Sequence, residues 1–175
     1  LASYQINRQP FIATDGRIVM EAENYFTQKQ ADPQGWVAVD ADGAVGQAVD
    51  AHPGLGAKYD PAEGPRLDYP VLIPAAGDYH VWVRWRGRGS SSDSFYLGHD
   101  GEVDGEFGDH SGDFVWSRLG GDDPQALGID RTGQHTVHLW MRETGTQVDR
   151  LILTTDADYQ PTGEGPAESP QKKAQ

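Results

Sequence analysis

The sequence predicts an all-β domain, a β-sandwich of about ten short antiparallel strands. Three observations support this fold class. Glycine and proline, with 22 and 11 residues among 175, recur as turn signals too often for long helices. Short runs rich in β-branched and aromatic residues stand between the turn signals. Several of these runs also alternate polar and apolar residues, as half-buried strands do.

Taken in chain order, the expected strands are short, and each is bounded by Gly, Pro, Asp or Ser. In the first half of the chain they cover residues 17–22, 36–39, 47–50, 69–73 and 79–86. In the second half they cover residues 94–97, 114–119, 125–129, 135–141 and 148–153.

The clearest alternation lies in the segment YHVWVRWR. One face of this strand would carry four apolar residues, namely Tyr79, Val81, Val83 and Trp85. The segment HTVHLWM, at 135–141, alternates in the same way. Two sheets that bury such faces against each other form a sandwich.

The composition suits one domain of ordinary size. Hydrophobic residues make up 37% of the chain and charged residues 23%, which is enough apolar surface for one packed core. Beyond Asp158 the sequence is rich in Pro, Gly, Glu and Gln and nearly free of aliphatic residues. We therefore expect a sandwich over residues 1–158 and a linker-like tail over residues 159–175, leading elsewhere in a larger protein.

The charge and the residue types exclude several kinds of function. With 27 acidic residues against 14 basic ones, the net charge is -13, which repels phosphate backbones and anionic lipids. We therefore expect neither nucleic acid nor a membrane as a partner, and no apolar stretch approaches the length of a membrane span. The lack of cysteine excludes disulfides, thiolate zinc sites and cysteine nucleophiles.

Two glutamates in the segment VMEAEN form the most informative short pattern. Glu21 and Glu23 are two residues apart in an expected strand and would project from the same face. Two like charges side by side are unfavourable unless each reaches water, the two share a proton, or both bind a cation. The pattern alone leaves these alternatives open.

Three segments in order resemble the carbohydrate-binding modules of families 6 and 35. They are RIVMEAEN near the start, AGDYHVWVRW in the middle and TGQHTVHLWMRETGTQVDRLILT near the end, and the resemblance runs over residues 17–155. It implies a galactose-binding-like β-sandwich of the jelly-roll type that carries a structural calcium ion. By the same resemblance the calcium ligands are Glu21, Glu23 and Asp149.

The resemblance also points to sugar-binding residues. Trp116 is similar to the aromatic residue that family 6 modules place in a cleft between loops at one end of the sandwich. Gln147 stands where the family often has an asparagine that contacts sugar, and this difference leaves the ligand preference open.

Three further sugar contacts are expected from the residues themselves. Trp36 and Tyr59 lie in turn-rich surroundings, where an exposed ring can stack on the apolar face of a sugar. Arg88 lies in the polar loop RGRGSSSDS and could bind hydroxyls or a uronate carboxylate through its planar fork.

These observations favour a non-catalytic, calcium-stabilised module that binds a polysaccharide or oligosaccharide. It would be secreted or located at the cell surface, and it would direct an attached polysaccharide-degrading catalytic domain to its substrate. The sequence contains none of the common catalytic motifs. Two alternatives stay open: a catalytic β-sandwich, for example a lyase using His110 or His135 near Tyr96, and a structural domain that packs on a catalytic neighbour without binding sugar.

Overall fold

A computed structural model describes residues 9–172 of the chain. In this part of the chain, thirteen strands form two sheets, and one 3-10 turn at Ala22–Asn24 follows the second strand. The strands are β1 Phe11–Ile12, β2 Arg17–Glu21, β3 Thr27–Lys29, β4 Gly35–Val39, β5 Ala48–His52, β6 Arg66–Ile73, β7 Gly77–Arg86, β8 Phe95–His99, β9 Glu102–Phe107, β10 Val115–Arg118, β11 Ala126–Ile129, β12 Gly133–Met141 and β13 Gln147–Thr154.

The first sheet has six strands in the order β1-β6-β12-β8-β9, with β3 also paired to β6. The second sheet has seven strands in the order β10-β7-β13-β5-β4. In the second sheet β11 pairs with β7 and β2 pairs with β13. All pairs of named strands are antiparallel except the short β1–β6 pair. The predicted fold class, an all-β sandwich, is confirmed.

The core lies between the sheets and follows the predicted alternation. Tyr79, Val81, Val83 and Trp85 of β7 are all buried, and the alternate residues of β7 face outward on the second sheet. The indole ring of Trp85 meets the ring of Phe95 edge-on, with ring centroids 5.2 Å apart. The second sheet therefore has an outer face lined largely by polar side chains, and this face carries the candidate site.

The C-terminal tail was expected to be a linker over residues 159–175, of which 173–175 lie outside the described residues. Residues 163–172, which we call the strap, fold back onto the sandwich instead of leaving it as a linker. The backbone N–H of Ser169 donates to the carbonyl of Val19 in β2 at 2.9 Å, and the N–H of Lys172 donates to Pro10 at 2.8 Å. Composition predicted a linker because the tail lacks aliphatic residues, but polar and backbone contacts hold it in place.

Candidate functional site

An irregularity in β13 places one predicted metal ligand. The pairing of β13 with β7 shifts register between Val148 and Arg150, so Asp149 is a bulged residue. Its side chain is fully buried. Its Oδ2 lies 2.5 Å from the guanidinium Nη1 of Arg84, and its Oδ1 accepts the backbone N–H of Val45 at 3.0 Å. Asp149 is thus held between β7 and the loop that precedes β5.

Glu21 and Glu23 meet as predicted, but by a different local structure. The strand β2 ends at Glu21, and Glu23 lies in the 3-10 turn rather than on the same strand face. Both carboxylates are close to Gly46, where a Cβ atom would lie 2.7 Å from Oε1 of Glu23 and 3.5 Å from Oε2 of Glu21. Gly46 also has a φ of +68°, so this close approach depends on glycine.

The electrostatics of this carboxylate cluster, which we define as Glu21, Glu23 and Asp149, disfavour full ionisation. Burial, with the neighbouring charge of Glu23, raises the pKa of Glu21 to about 8. Burial also raises the pKa of Glu23 and the pKa of Asp149 above their ordinary values. The Arg84 guanidinium opposes the rise for Asp149. A bound cation would remove this repulsion.

The two glutamates fit a divalent cation better than Asp149 does. Oε2 of Glu21 is buried and has no hydrogen-bond partner within residues 9–172, which is the environment of an oxygen ready to bind a cation. A cation that also bound Asp149 would share this carboxylate with Arg84. Among the described residues, no three or more His, Asp or Glu side chains are arranged so that they could hold a metal ion.

A second polar group lies beside the carboxylate cluster on the outer face of the second sheet. Gln147 joins two charged residues, since its Nε2 donates to Oδ1 of Asp50 at 2.9 Å and its Oε1 accepts from Nε of Arg86 at 2.9 Å. The guanidinium of Arg88 lies 3.1 Å from the same Oδ1 of Asp50. The guanidinium of Arg86 stacks on the ring of Phe114, 4.4 Å from its centroid. We call these five residues the outer-face network.

This network borders an open pocket. The pocket has a volume of about 450 Å³ and is lined by Arg86, Gly87, Arg88, Ser111 and Gly112. No ion pair joins Arg86 to a carboxylate in the described part of the chain; its partners are the amide of Gln147 and the carbonyl of Asp42, at 3.3 Å. Polar groups fixed in this way around a pocket can bind the hydroxyls of a ligand without reorganising.

One loop connects the carboxylate cluster with the outer-face network. In the loop 40–47, the carbonyls of Asp42 and Gly43 accept hydrogen bonds from Arg86 and Arg84. The N–H of Gln47, a few residues later, donates to Oε1 of Glu23 at 3.0 Å. The position of the loop therefore depends on both groups.

The predicted sugar contacts divide into two sets. Gln147 and Arg88 belong to the outer-face network. Trp36 was predicted wrongly: it is only 1% exposed, lies in the core, and its indole N–H donates to the carbonyl of Pro65 at 3.1 Å. Tyr59 was also predicted to be exposed, but its ring packs against the core and its hydroxyl donates to Gln34 at 2.9 Å. The ring of Trp36 therefore offers no face to a sugar, and the ring of Tyr59 is partly buried.

Trp116, which the resemblance placed in a cleft between loops, lies on a sheet face and is partly covered. It pairs with Arg84 across β10 and β7 and so belongs to the outer face of the second sheet. Its indole N–H donates to the carbonyl of Gly163 in the strap at 2.9 Å. A Cβ at Gly165, which has a φ of +79°, would lie 2.7 Å from the indole ring. The strap therefore occupies part of the surface that a sugar would need.

Sequence reasoning missed Asp50 and Phe114, and of the two arginines in RGRGSSSDS it selected Arg88 rather than Arg86. The alternation of β7 already indicated the outward position of Arg86. Asp50 could not, because its partnership with Gln147 depends on the pairing of β5 with β13.

The residues of the alternative catalytic interpretation are engaged in structural contacts. His135 is 3% exposed, and its ring nitrogens contact Oδ2 of Asp100 at 2.6 Å and the carbonyl of Arg131 at 2.9 Å. Nε2 of His110 contacts the carbonyl of Asp113 at 2.8 Å. The hydroxyl of Tyr96 donates to a backbone carbonyl at 3.2 Å. These side chains stabilise loops and strands in this arrangement.

Comparisons with known proteins agree with the fold. The family described as the glycosyl hydrolase family 115 C-terminal domain matches residues 10–106. A curated relative, the uncharacterized protein P23 of Formosa agariphila, is 25% identical over 201 residues, and the match covers 89% of this chain and 48% of the relative. The chain thus spans about half the length of this relative.

Solved structures of carbohydrate-binding modules share the fold at low identity. The C-terminal family 6 module of LamC, a marine laminarinase from Zobellia galactanivorans, has a TM-score of 0.57 at 17% identity, covering 79% of this chain and 99% of the module. A family 35 module from Clostridium thermocellum has a TM-score of 0.57 at 14% identity, and the match covers 81% of this chain and 98% of the module. A family 36 module, solved in complex with calcium and xylotriose, has a TM-score of 0.54 at 16% identity, and the match covers 78% of this chain and 98% of the module. The predicted resemblance to families 6 and 35 is confirmed for the fold.

In the described part of the chain, no helix is long and apolar enough to cross a membrane.

Proposed function

Because this chain belongs to the family of the glycosyl hydrolase family 115 C-terminal domain, we propose that it is a non-catalytic carbohydrate-binding module. Its ligand is a polysaccharide or oligosaccharide, bound at the outer-face network. It acts outside the cell and directs an attached polysaccharide-degrading catalytic domain to its substrate. The family description and the modules with the same fold, which come from a xylanase and a laminarinase among others, support this assignment.

The outer-face network is the observation that carries the proposal. Sugar hydroxyls both donate and accept hydrogen bonds, so a site for them needs fixed donors and acceptors close together. Asp50 supplies an acceptor, Arg86 and Arg88 supply donors, and the amide of Gln147 can do both. Mutual hydrogen bonds hold these groups in place beside the pocket, and this reduces the entropy lost on binding.

We also assign a structural calcium ion to the carboxylate cluster. Glu21 and Glu23 would be its side-chain ligands, and Asp149 would contribute negative charge and an oxygen shared with Arg84. Calcium prefers several oxygen ligands from carboxylates, backbone carbonyls and water. By holding Glu23, it would stabilise the loop 40–47 and, through Asp42 and Gly43, the arginines of the outer face.

Affinity electrophoresis against a panel of plant and algal polysaccharides, run with calcium and with EDTA, tests the binding proposal. We expect retention on at least one polysaccharide and weaker retention in EDTA. Incubation with the same polysaccharides, followed by assays for reducing ends and for the absorbance of unsaturated products, tests for catalysis. Retention on none of the panel would favour a structural domain, and product formation would contradict the non-catalytic assignment.

A further inference from the structure

The strap is attached mainly by polar contacts. Only Ser169 of its residues is buried; its N–H donates to Val19, and its hydroxyl accepts the N–H of Val19 at 2.8 Å. A pocket of about 140 Å³ is lined by residues of 166–169 and of 14–19. Segments with little buried apolar surface open at low free-energy cost. The seating of the strap therefore depends on hydrogen bonds and charges rather than on apolar burial.

Glu168 brings a further negative charge to the carboxylate cluster. Its Oε2 accepts the backbone N–H of Glu21 at 2.6 Å, and both of its oxygens accept from the side-chain amide of Asn24, at 2.9 and 3.0 Å. No ion pair is formed by Glu168 within residues 9–172. Neutral donors hold this carboxylate, so its charge is added to the cluster.

The charges around the cluster are unbalanced. Four carboxylates, those of Glu21, Glu23, Asp149 and Glu168, interact electrostatically. Two guanidinium groups oppose them: Arg84 contacts Asp149 at 2.5 Å, and Nε of Arg150 lies 3.5 Å from Glu21. When all these groups are ionised, two negative charges remain, which equals the charge of one divalent cation. Without the cation, seating the strap adds Glu168 to a site that already repels anions.

The other end of the strap covers Trp116. The carbonyl of Gly163 accepts from the indole, the carbonyl of Glu164 accepts from Arg150, and Gly165 lies against the indole ring. The same segment that carries Glu168 therefore closes the Trp116 side of the outer face. It leaves the pocket at Arg86 open.

From this arrangement we infer that the strap is a cation-dependent lid over Trp116, fastened by Glu168. This inference rests on the calcium site of the proposed function. Binding of the cation at Glu21 and Glu23 offsets the repulsion of Glu168, and so favours the seated strap. Since coupling between two binding events is reciprocal, the seated strap must favour cation binding by the same factor.

The test uses calcium alone, without any saccharide, on the full chain and on two matched variants. E168Q removes the charge but keeps an acceptor oxygen for Glu21 and Asn24. E164Q is the control, because Glu164 is an exposed strap residue that contacts Arg150 only through its backbone. Isothermal titration calorimetry measures calcium affinity, and hydrogen exchange by mass spectrometry measures the protection of 163–172 with and without calcium.

We expect calcium to slow amide exchange in 163–172 of the wild type and of E164Q. In E168Q the affinity for calcium should fall about tenfold, the lower end of the loss typical for groups that support metal ligands. Calcium should also protect the strap of E168Q much less. Quenching of tryptophan fluorescence by acrylamide, compared with that of W116F, should show that calcium reduces the accessibility of Trp116.

The possible failures are distinguishable. If the wild type binds calcium but exchange in the strap is the same with and without it, the lid is refuted and the calcium site stands. Equal calcium affinity in wild type and E168Q would also refute the role of Glu168. If the wild type does not bind calcium, the calcium part of the proposed function fails, and the lid fails with it.

Discussion

Calcium should stabilise the protein more at pH 8 than at pH 6, because Glu21 must lose its proton to bind a cation. With the pKa of Glu21 raised to about 8, the carboxyl at pH 6 is about two units below its pKa, and deprotonation costs about 2.7 kcal/mol. At pH 8 the cost is only about 0.4 kcal/mol, since half of the carboxyls are already ionised. The affinity for calcium should therefore be about 50-fold higher at pH 8.

This difference can be measured as a difference in melting temperature. At a calcium concentration about 100 times the Kd at pH 8, binding adds about 2.7 kcal/mol to the free energy of unfolding, and at pH 6 the same concentration adds about 0.6 kcal/mol. For a chain of this size, the rise in Tm should be about 5–11 °C at pH 8 and about 1–3 °C at pH 6. Differential scanning fluorimetry of EDTA-treated protein, with and without added calcium, provides the measurement.

Two variants separate this mechanism from a general effect of calcium on an acidic protein. E21Q should lose both the stabilisation and its dependence on pH, because its side chain has no proton to release and no charge to offer. E102Q removes an exposed glutamate of β9 and should respond like the wild type. An equal rise in Tm at pH 6 and pH 8, or no change on chelation at either pH, would refute the reasoning.

Three further predictions concern separate parts of the molecule. On any polysaccharide that retains the wild type, R86A should weaken binding by about 10–100-fold, since hydrogen bonds to a charged group contribute about 1.5–3 kcal/mol. The control R131A, at an exposed arginine, should bind like the wild type. Equal losses of affinity in R86A and R131A would contradict the proposed site. W36A should lower the free energy of unfolding by about 3–5 kcal/mol in urea titrations, because Trp36 is a core residue; a loss below about 1 kcal/mol would argue against its burial. The hydrogen bond from His99 to Asp104 raises the pKa of His99 above its ordinary value of about 6.5. The stabilisation from this pair is therefore fully present below pH 6.5 and is lost as the pH rises through the pKa of the folded protein. In EDTA, the difference in Tm between wild type and H99Q should shrink with rising pH, and a difference that is constant with pH would rule out this contribution.

The strands that sequence reasoning found are those with a strong pattern. β7 and β12 alternate over many residues, so both strands and the buried face of β7 were predicted from the sequence, although each strand begins two residues earlier than expected and His138 and Trp140 of β12 are buried too. The short strands β1 and β3 contain too few residues to show a period. β9 lies outside the expected strands because four of its six residues are Asp, Glu or Gly; its pairing with β8 outweighs their low β propensity.

The site was harder to predict because it is assembled from distant segments. The resemblance gave Glu21, Glu23 and Asp149 as one ligand set; their carboxylates interact electrostatically, with Glu23 in a 3-10 turn rather than in a strand, and their role as calcium ligands stays a prediction. Turn-rich flanks suggested that Trp36 was exposed, but flanks do not show which face of a short strand is buried. The strap escaped prediction because its contacts are hydrogen bonds, which leave no apolar pattern in the sequence.

The bulge at Asp149 also bears on how this sequence can change over time. Val148 and Arg150 pair with Trp85 and Arg84, which are consecutive residues of β7, so deleting Asp149 would keep Leu151 and Leu153 in the core and remove only the carboxylate. An insertion or deletion that shifted the rest of β13 by one position against β7 would instead turn its apolar face away from the core. The carboxylate cluster can therefore lose this member in one step while the fold is kept. Substitutions at Gln147, upstream of the bulge, can change ligand preference independently of that step.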